Sequence, residues 1–200
     1  MMLKYWFLRK LANNAEDRWR GISTGGIAQT DKVGAVHYAT ESYADTRRVL
    51  RALDLQPSDI FIDVGAGKGR VLCLAAQIRM RRVVGAEYSS ELVRIAKQNI
   101  CRMQGKQTPV EICSQAAEDF DYSAATVLYF FNPFEANVLD VVLRKVDVDR
   151  AGRPLRLAFA FESPEHRAVF SRHKWLECYD RWVNSAGHAV ALYRTTRSLA

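Results

Sequence analysis

Residues 60–87 carry one continuous pattern that limits what the chain can become: IFIDVGAGKGRVLCLAAQIRMRRVVGAE. Ile60-Phe61-Ile62 reads as a short buried strand. A glycine turn follows, Asp63-Val64-Gly65-Ala66-Gly67-Lys68-Gly69, and then a helical repeat with Val71, Leu74, Ala75 and Ile78 on one face. Arg82 to Ala86 is a second strand, and it ends on Glu87. This is half of a βαβ unit whose glycine turn sits at the carboxyl end of its first strand, where open α/β sheets bind their ligands.

The chemistry of the turn narrows the ligand. Glycines without a Cβ allow a tight turn and a close approach to the backbone. The spacing is G-x-G-x-G, not the G-x-G-x-x-G of dinucleotide sites. Asp63, just before the glycines, suits positive charge better than a pyrophosphate. Glu87 lies where a second-strand carboxylate accepts hydrogen bonds from ribose hydroxyls. Together they describe a nucleoside with a cationic portion and no phosphate.

These residues resemble motif I and the acidic loop of the class I S-adenosylmethionine-dependent methyltransferases, over roughly residues 59–134. The rest of the chain is similar in element order only. The small bacterial members with D-x-G-x-G-K-G-R and a later F-N-P-F look most alike. The resemblance implies S-adenosylmethionine as cofactor, its methionine part surrounded by Asp63, Gly65, Ala66, Gly67 and Gly69, its ribose held by Glu87 with Tyr88 beside it. It places the adenine contact within residues 115–120, with Ala117 and Glu118 as candidates. It also implies the fold class: an α/β, seven-stranded Rossmann-like sheet, mostly parallel with an antiparallel last strand and helices on both faces.

The remaining elements follow in order. Leu3, Trp6, Phe7 and Leu11 recur at helical spacing and predict an amphipathic helix over 2–14, which could pack on the domain, lie on a membrane surface or cover the site. Residues 19–40 read as a loop ending in His37-Tyr38, two candidate substrate contacts, before a helix over 41–53. Residues 1–54 are thus expected to cover the site of a methyltransferase domain formed by 55–200. Ser89 or Ser90 caps a helix whose stripe of Leu92, Ile95, Ala96, Ile100 and Met103 includes the polar Asn99, predicted to hydrogen-bond a neighbouring loop. Strands are expected at 109–113, 126–131 and 155–161. A helix with Val138, Val141, Val142 and Val146 on its repeat follows residue 134, and another is capped by Ser163-Pro164. A closing hairpin spans 175–195 around Asn184-Ser185-Ala186-Gly187.

Asn132-Pro133-Phe134 follows the most apolar strand, TVLYFF. The trio resembles a shortened N-P-P-Y/F motif of amino-group methyltransferases, lacking the second proline. The resemblance implies catalytic roles: Asn132 accepting from an amine, Pro133 precluding a competing backbone donor, Phe134 stacking on the acceptor or contacting the methyl. A strand-ending turn uses the same residue types. The reading is therefore a methyltransferase acting on nitrogen. The alternatives are a protein lysine methyltransferase, whose chromatin-type members share the D-x-G-x-G and G-x-E pattern, or a cofactor-binding module without catalysis.

Composition adds bounds on partners. The net charge of +7 favours acidic partners but says nothing about fold. No nucleic-acid-binding module is visible, so the acceptor stays open among small molecule, protein and nucleic acid. The four cysteines form no C-x-x-C pair, and no metal site is expected. The N-terminal apolar run is broken by Lys4, Arg9 and Lys10, so a cytoplasmic chain with no integral membrane segment, monomeric or weakly dimeric, is expected.

Overall fold

The computed structural model describes residues 2–26 and 40–196, with side chains from residue 11 onward. Seven strands form one sheet in the order β3-β2-β1-β4-β5-β7-β6. They are β1 (Ile60–Val64), β2 (Arg82–Glu87), β3 (Val110–Ser114), β4 (Val127–Phe131), β5 (Arg156–Glu162), β6 (Leu176–Val183) and β7 (Ala189–Thr195). The pairs from β3 through β5 are parallel, and β7 runs antiparallel between β5 and β6. β1 is buried along its whole length, as a central strand covered on both faces must be.

Among the described residues six helices flank the strands: α1 (Met2–Arg20), α2 (Tyr43–Ala52), α3 (Arg70–Ala75), α4 (Ser90–Arg102), α5 (Ala136–Arg150) and α6 (Pro164–Arg172). The period of two along each strand sorts the core into two layers. Ile60, Ile62, Leu128, Phe130, Leu157 and Phe159 pack with α5 and α6. Phe61, Val127, Tyr129, Ala158 and Leu192 pack on the other side, with residues of α2, α3 and α4. Ile22, the α2 residues Val49 and Leu50, and Leu53 at the C-cap of α2 belong to that second layer, so the leading segment and the sheet share one core. Between β3 and β4 the chain crosses as a loop that buries Phe120 and Tyr122.

Three helices depart from their expected faces or ends. α1 continues through Trp19 and Arg20, inside the expected loop, because Gly21 terminates it with φ +73°. Gly21 N–H donates to Arg18 O at 3.1 Å and Ile22 N–H to Asp17 O at 2.9 Å, the paired bonds of a Schellman ending. α3 is only six residues long, and it buries Arg70 together with the apolar Leu72, Cys73, Leu74 and Ala75, with Val71 half-exposed. A helix that short, wedged between α4 and the sheet, buries most of its circumference instead of one stripe. α5 turns Leu139, Val142, Leu143 and Val146 inward and leaves Val141 52% exposed. The run Val138–Val148 contains apolar residues on both faces, and packing against β4 and β5 selects the leucine register.

The Ser89 side chain caps α4 through Leu92 N–H, and Ser42 caps α2 through Asp45 N–H. The hairpin between β6 and β7 closes with Asn184 N–H to His188 O at 2.8 Å. Cys73 is buried and Cys113 packs against the core, while Cys101 and Cys178 are exposed; all four are free thiols. Among the described residues no helix is long and apolar enough to cross a membrane, and no group of His, Cys, Asp and Glu could hold a metal.

Candidate active site

The order β3-β2-β1-β4 reverses direction between β1 and β4, so a crevice opens at the carboxyl ends of those strands. Both the glycine turn and the Asn132 loop emerge there. Glu87, the last residue of β2, is 5% exposed and bound to the turn. Its Oε2 accepts from Gly67 N–H and its Oε1 from Ser89 N–H, each at 2.9 Å. The loop after β3 is brought to the same place by Gln115 N–H, which donates to Glu87 O at 2.9 Å. Ala117 follows, nearly buried, its carbonyl accepting from the Tyr122 hydroxyl at 2.9 Å; Glu118 and Tyr88 are half-buried.

Asp63 sits within β1, beside Gly85 and Tyr129 on the neighbouring strands, and is 2% exposed. Burial and, after it, the charge of Glu87 push its carboxyl well above the ordinary carboxylate range. Two acids held close with little solvent repel each other, and positive charge placed between them relieves that. A cationic nucleoside fits this donor set: acid for the cation, acid for hydroxyls, and a turn of positive-φ glycines, Gly65, Gly67 and Gly69, for close approach.

Gly65 also joins the two loops. Its φ is +76°, and a Cβ placed there would stand 2.5 Å from Pro133 Cβ. Pro133 therefore occupies the space that any side chain at position 65 would need. The glycine turn and the Asn132 loop are in direct packing contact.

Asn132 adopts φ +42°, a left-handed conformation that Asn tolerates better than most residues, and its N–H donates to Ala160 O at 3.2 Å. It lines a cleft of about 440 Å³ with Phe134, Glu135, Asn137, Ser163 and His166. The amino ends of α5 and α6 border this cleft. His166 ties them to the Asn132 loop: its Nδ1 accepts from Ser163 N–H at 3.3 Å, so Nε2 carries the proton and donates to Phe134 O at 3.1 Å.

Phe134 departs from its expected role. Its ring is 5% exposed and packs edge-on to Phe130 at 5.9 Å, within the core. The residue after Pro133 turns inward because β4 ends there and α5 must pack back on the sheet. Half-buried rings at this edge are instead Phe131 and Phe161, edge-to-face at 6.4 Å. Phe161 has φ +72°, an unusual conformation for an aromatic residue, at an irregularity in the pairing of β5. Backbone strain of this kind gathers at functional sites. TVLYFF marks Phe131 only as strand, and no sequence signal announces the bulge at Phe161.

The leading segment is locked onto the glycine turn by a buried polar network that the sequence does not display. Arg70, one residue past Gly69, is 4% exposed and donates to Thr24 Oγ1 and Glu41 O at 2.7 Å each, with Asp17 Oδ1 at 3.4 Å. Asp17 accepts from Thr24 N–H at 2.7 Å and from the Tyr43 hydroxyl. Glu41 accepts from the Tyr129 hydroxyl at 2.9 Å and Asn184 Nδ2 at 3.0 Å. Lys68 donates to Gly25 O at 2.6 Å. Asn99 makes the predicted loop bonds, accepting from Ser23 N–H at 2.9 Å and donating to Lys68 O at 2.8 Å. His37 and Tyr38 lie outside the described residues.

A family model described as "Histone methylation protein DOT1" matches residues 31–112, which hold the glycine turn and Glu87 and stop before the Asn132 loop. No curated protein matches the chain. Solved structures do. An RNA methyltransferase from Salinibacter ruber, in complex with S-adenosyl-L-homocysteine, superposes with a TM-score of 0.60 at 21% identity, over 81% of this chain and 97% of that one. Magnesium protoporphyrin IX methyltransferase from Synechocystis PCC 6803, with bound S-adenosylmethionine, gives 0.61 at 15% identity over 96% of both chains. An S-adenosylmethionine-dependent O-methyltransferase from Thermotoga maritima gives 0.62 at 15% identity, over 82% of this chain and 69% of that one. Strand order, the antiparallel β7 and these superpositions together establish that the chain has the fold of the class I S-adenosylmethionine-dependent methyltransferases.

Proposed function

We propose that the protein binds S-adenosylmethionine at the crevice formed by Asp63, Gly65 to Gly69 and Glu87, and transfers its methyl group to a nitrogen acceptor entering beside Asn132. The observation that carries this reading is the packing of Pro133 into the space above Gly65, which makes the cofactor turn and the acceptor loop neighbours. Bound there, the cofactor supplies an electrophilic methyl on a sulfonium. The chain's part is positioning. Glu87 orients the ribose, and Asp63 offers the negative charge that a cationic cofactor balances. The adenine falls to Ala117 and Glu118, with Tyr88 beside Glu87. Asn132 would present an amide oxygen to an acceptor N–H and so orient the nitrogen for in-line attack, which needs reacting atoms roughly 3–3.5 Å apart. The half-buried rings of Phe131 and Phe161 limit water at that edge.

Protein lysine methylation is the second reading, favoured by the match of residues 31–112 to the DOT1 description. That match covers the cofactor half and leaves the acceptor open. RNA, porphyrin and O-methyltransferases among the structural neighbours show how many acceptors this fold serves. The deciding experiment is transfer of labelled methyl into fractionated RNA, protein and small-molecule pools, with calorimetric titration of S-adenosylhomocysteine alongside. Label in a nitrogen-linked product supports the proposal. Binding in the micromolar range, about 8 kcal/mol, with no label in any pool would indicate a module without catalysis.

A further inference from the structure

At the opposite end of the strands, where β1, β2 and β4 begin and α5 ends, lies a cavity of about 570 Å³. It is lined by Ser58, Ile60, Ala124 and Thr126 and by four arginines, Arg81, Arg82, Arg150 and Arg153. β1 is five residues long, so roughly 16 Å separates this cavity from the crevice at the strand carboxyl ends. It is not part of the site described above.

The arginines are poorly compensated. Arg150 is 5% exposed and gives two of its N–H groups to carbonyls, Ser123 O at 2.7 Å and Pro154 O at 2.9 Å. Its Nε–H is buried with no acceptor. Arg153 likewise spends its bonds on carbonyls, Arg150 O and Asp149 O, each at 3.0 Å. Arg82 reaches Glu111 only at 3.8 Å, and Arg81 meets no carboxylate among the described residues. Asp59, beside the cavity in sequence, is committed to Arg156, Gln56 N–H and the Thr126 hydroxyl. Burial and then Arg153 lower the pKa of Arg150. Four guanidinium groups around one cavity with no acid lining it carry a charge deficit that an anion would fill.

We propose that this cavity is a phosphate-binding site, in which Arg81, Arg82, Arg150 and Arg153 hold the phosphate oxygens and Ser58 adds a hydroxyl. Guanidinium forks match phosphate oxygens in pairs, which makes arginine clusters selective for them. The volume exceeds what one phosphate needs, leaving room for the group that bears it. That bearer is either a polynucleotide strand or a free phosphorylated small molecule. The net charge of +7 draws either toward the protein without choosing between them.

Arg81 and Arg153 are exposed, so Arg81→Glu with Arg153→Glu cancels the cavity's net positive charge without touching the core. Arg94→Glu with Lys97→Glu on the exposed face of α4 makes the same change of charge elsewhere. The three full-length proteins are titrated with inorganic pyrophosphate by calorimetry and with a fluorescent single-stranded RNA by anisotropy. S-adenosylhomocysteine affinity serves as the folding control. The cavity variant is expected to bind pyrophosphate at least tenfold more weakly than both other proteins. Equal weakening for RNA, with the salt slope reduced by about 0.7 per lost contact, identifies a polynucleotide as the bearer. Weakening for pyrophosphate alone identifies a small molecule. Indistinguishable binding by the cavity variant and the α4 control on both probes, or no binding of either probe to the unmodified protein, overturns the proposal.

Discussion

Asn132 combines a left-handed turn conformation with the acceptor-positioning role proposed for its amide, and alanine substitution alone cannot separate the two. Its φ of +42° is tolerable for Asn and costs an alanine roughly 1–2 kcal/mol. Asn132→Ala therefore removes the amide and strains the turn together, whereas Asn132→Gly removes only the amide. If the amide positions the acceptor, turnover falls by about 10²–10³ in both variants, while the melting temperature falls only in the alanine one. Product affinity stays near the starting value, because Asp63 and Glu87 carry it. A glycine variant with undiminished turnover would reduce Asn132 to a turn residue. Asp63 allows a test by pH. Its carboxyl is raised in the folded chain, so folding takes up a proton between its ordinary value of 3.8 and the folded one. Stability from this group is therefore lost as pH rises across that interval. A cation bound beside it lowers the pKa again. Binding of S-adenosylmethionine is then expected to release protons within the same window, read as a dependence of the apparent enthalpy on buffer ionisation. Asp63→Asn should abolish that dependence and weaken binding.

At the scale of elements, coupling between loops decides behaviour. Gly65→Ala places a methyl 2.5 Å from Pro133 in a left-handed conformation, so either the turn or the Asn132 loop must shift. The expected result is loss of both product affinity and turnover from a single methyl, measured by calorimetry and methyl transfer on the same preparation. Asn132→Gly affects turnover alone, so the two variants separate cofactor binding from acceptor placement. The network around Arg70 makes the other coupling. Removing one member of a buried ionic network leaves a partner uncompensated, which costs about 3–5 kcal/mol. Arg70→Met is accordingly expected to lower the melting temperature. It should also speed hydrogen exchange in residues 22–26, which Thr24 and Lys68 otherwise hold against the glycine turn. Unchanged exchange there would show that Asn99 and Lys68 anchor the segment without Arg70.

Across the whole molecule, the features readable from sequence were those written in local chemistry. Strand runs and the caps at Ser89 and Ser163 depend on neighbours a few residues away, and the structure places each as expected; a polar Asn99 on an apolar stripe announces a hydrogen-bonding demand, although its partners Ser23 and Lys68 lie 76 and 31 residues away. The sheet order follows from resemblance to a family, not from periodicity. What stayed hidden is set by packing at a distance. The register of α5, the burial of Phe134 and the strained Phe161 are each decided by which apolar residue the sheet accepts. The bonds from Arg70 to Thr24 and Glu41 span 46 and 29 residues, so no local pattern reports them.

The position of β7 has a consequence for how the protein is made. Among the described strands β6 joins the sheet only through β7, and the edge of β5 is completed only by β7, yet β7 follows the other six in the chain and leaves the ribosome after them. Until residues 189–195 emerge, the nascent chain carries an open β5 edge bearing Leu157 and Phe159 and a detached β6. Such edges invite pairing between chains. The exposed Glu177, Asp180 and Arg181 along β6 are the kind of charges that discourage that pairing during the wait. Synthesis stalled after Val183 should therefore yield aggregate, and neutralising Glu177 and Asp180, while keeping Arg181 that pairs with the buried Glu162, should worsen the yield of the 200-residue chain more than its stability once folded.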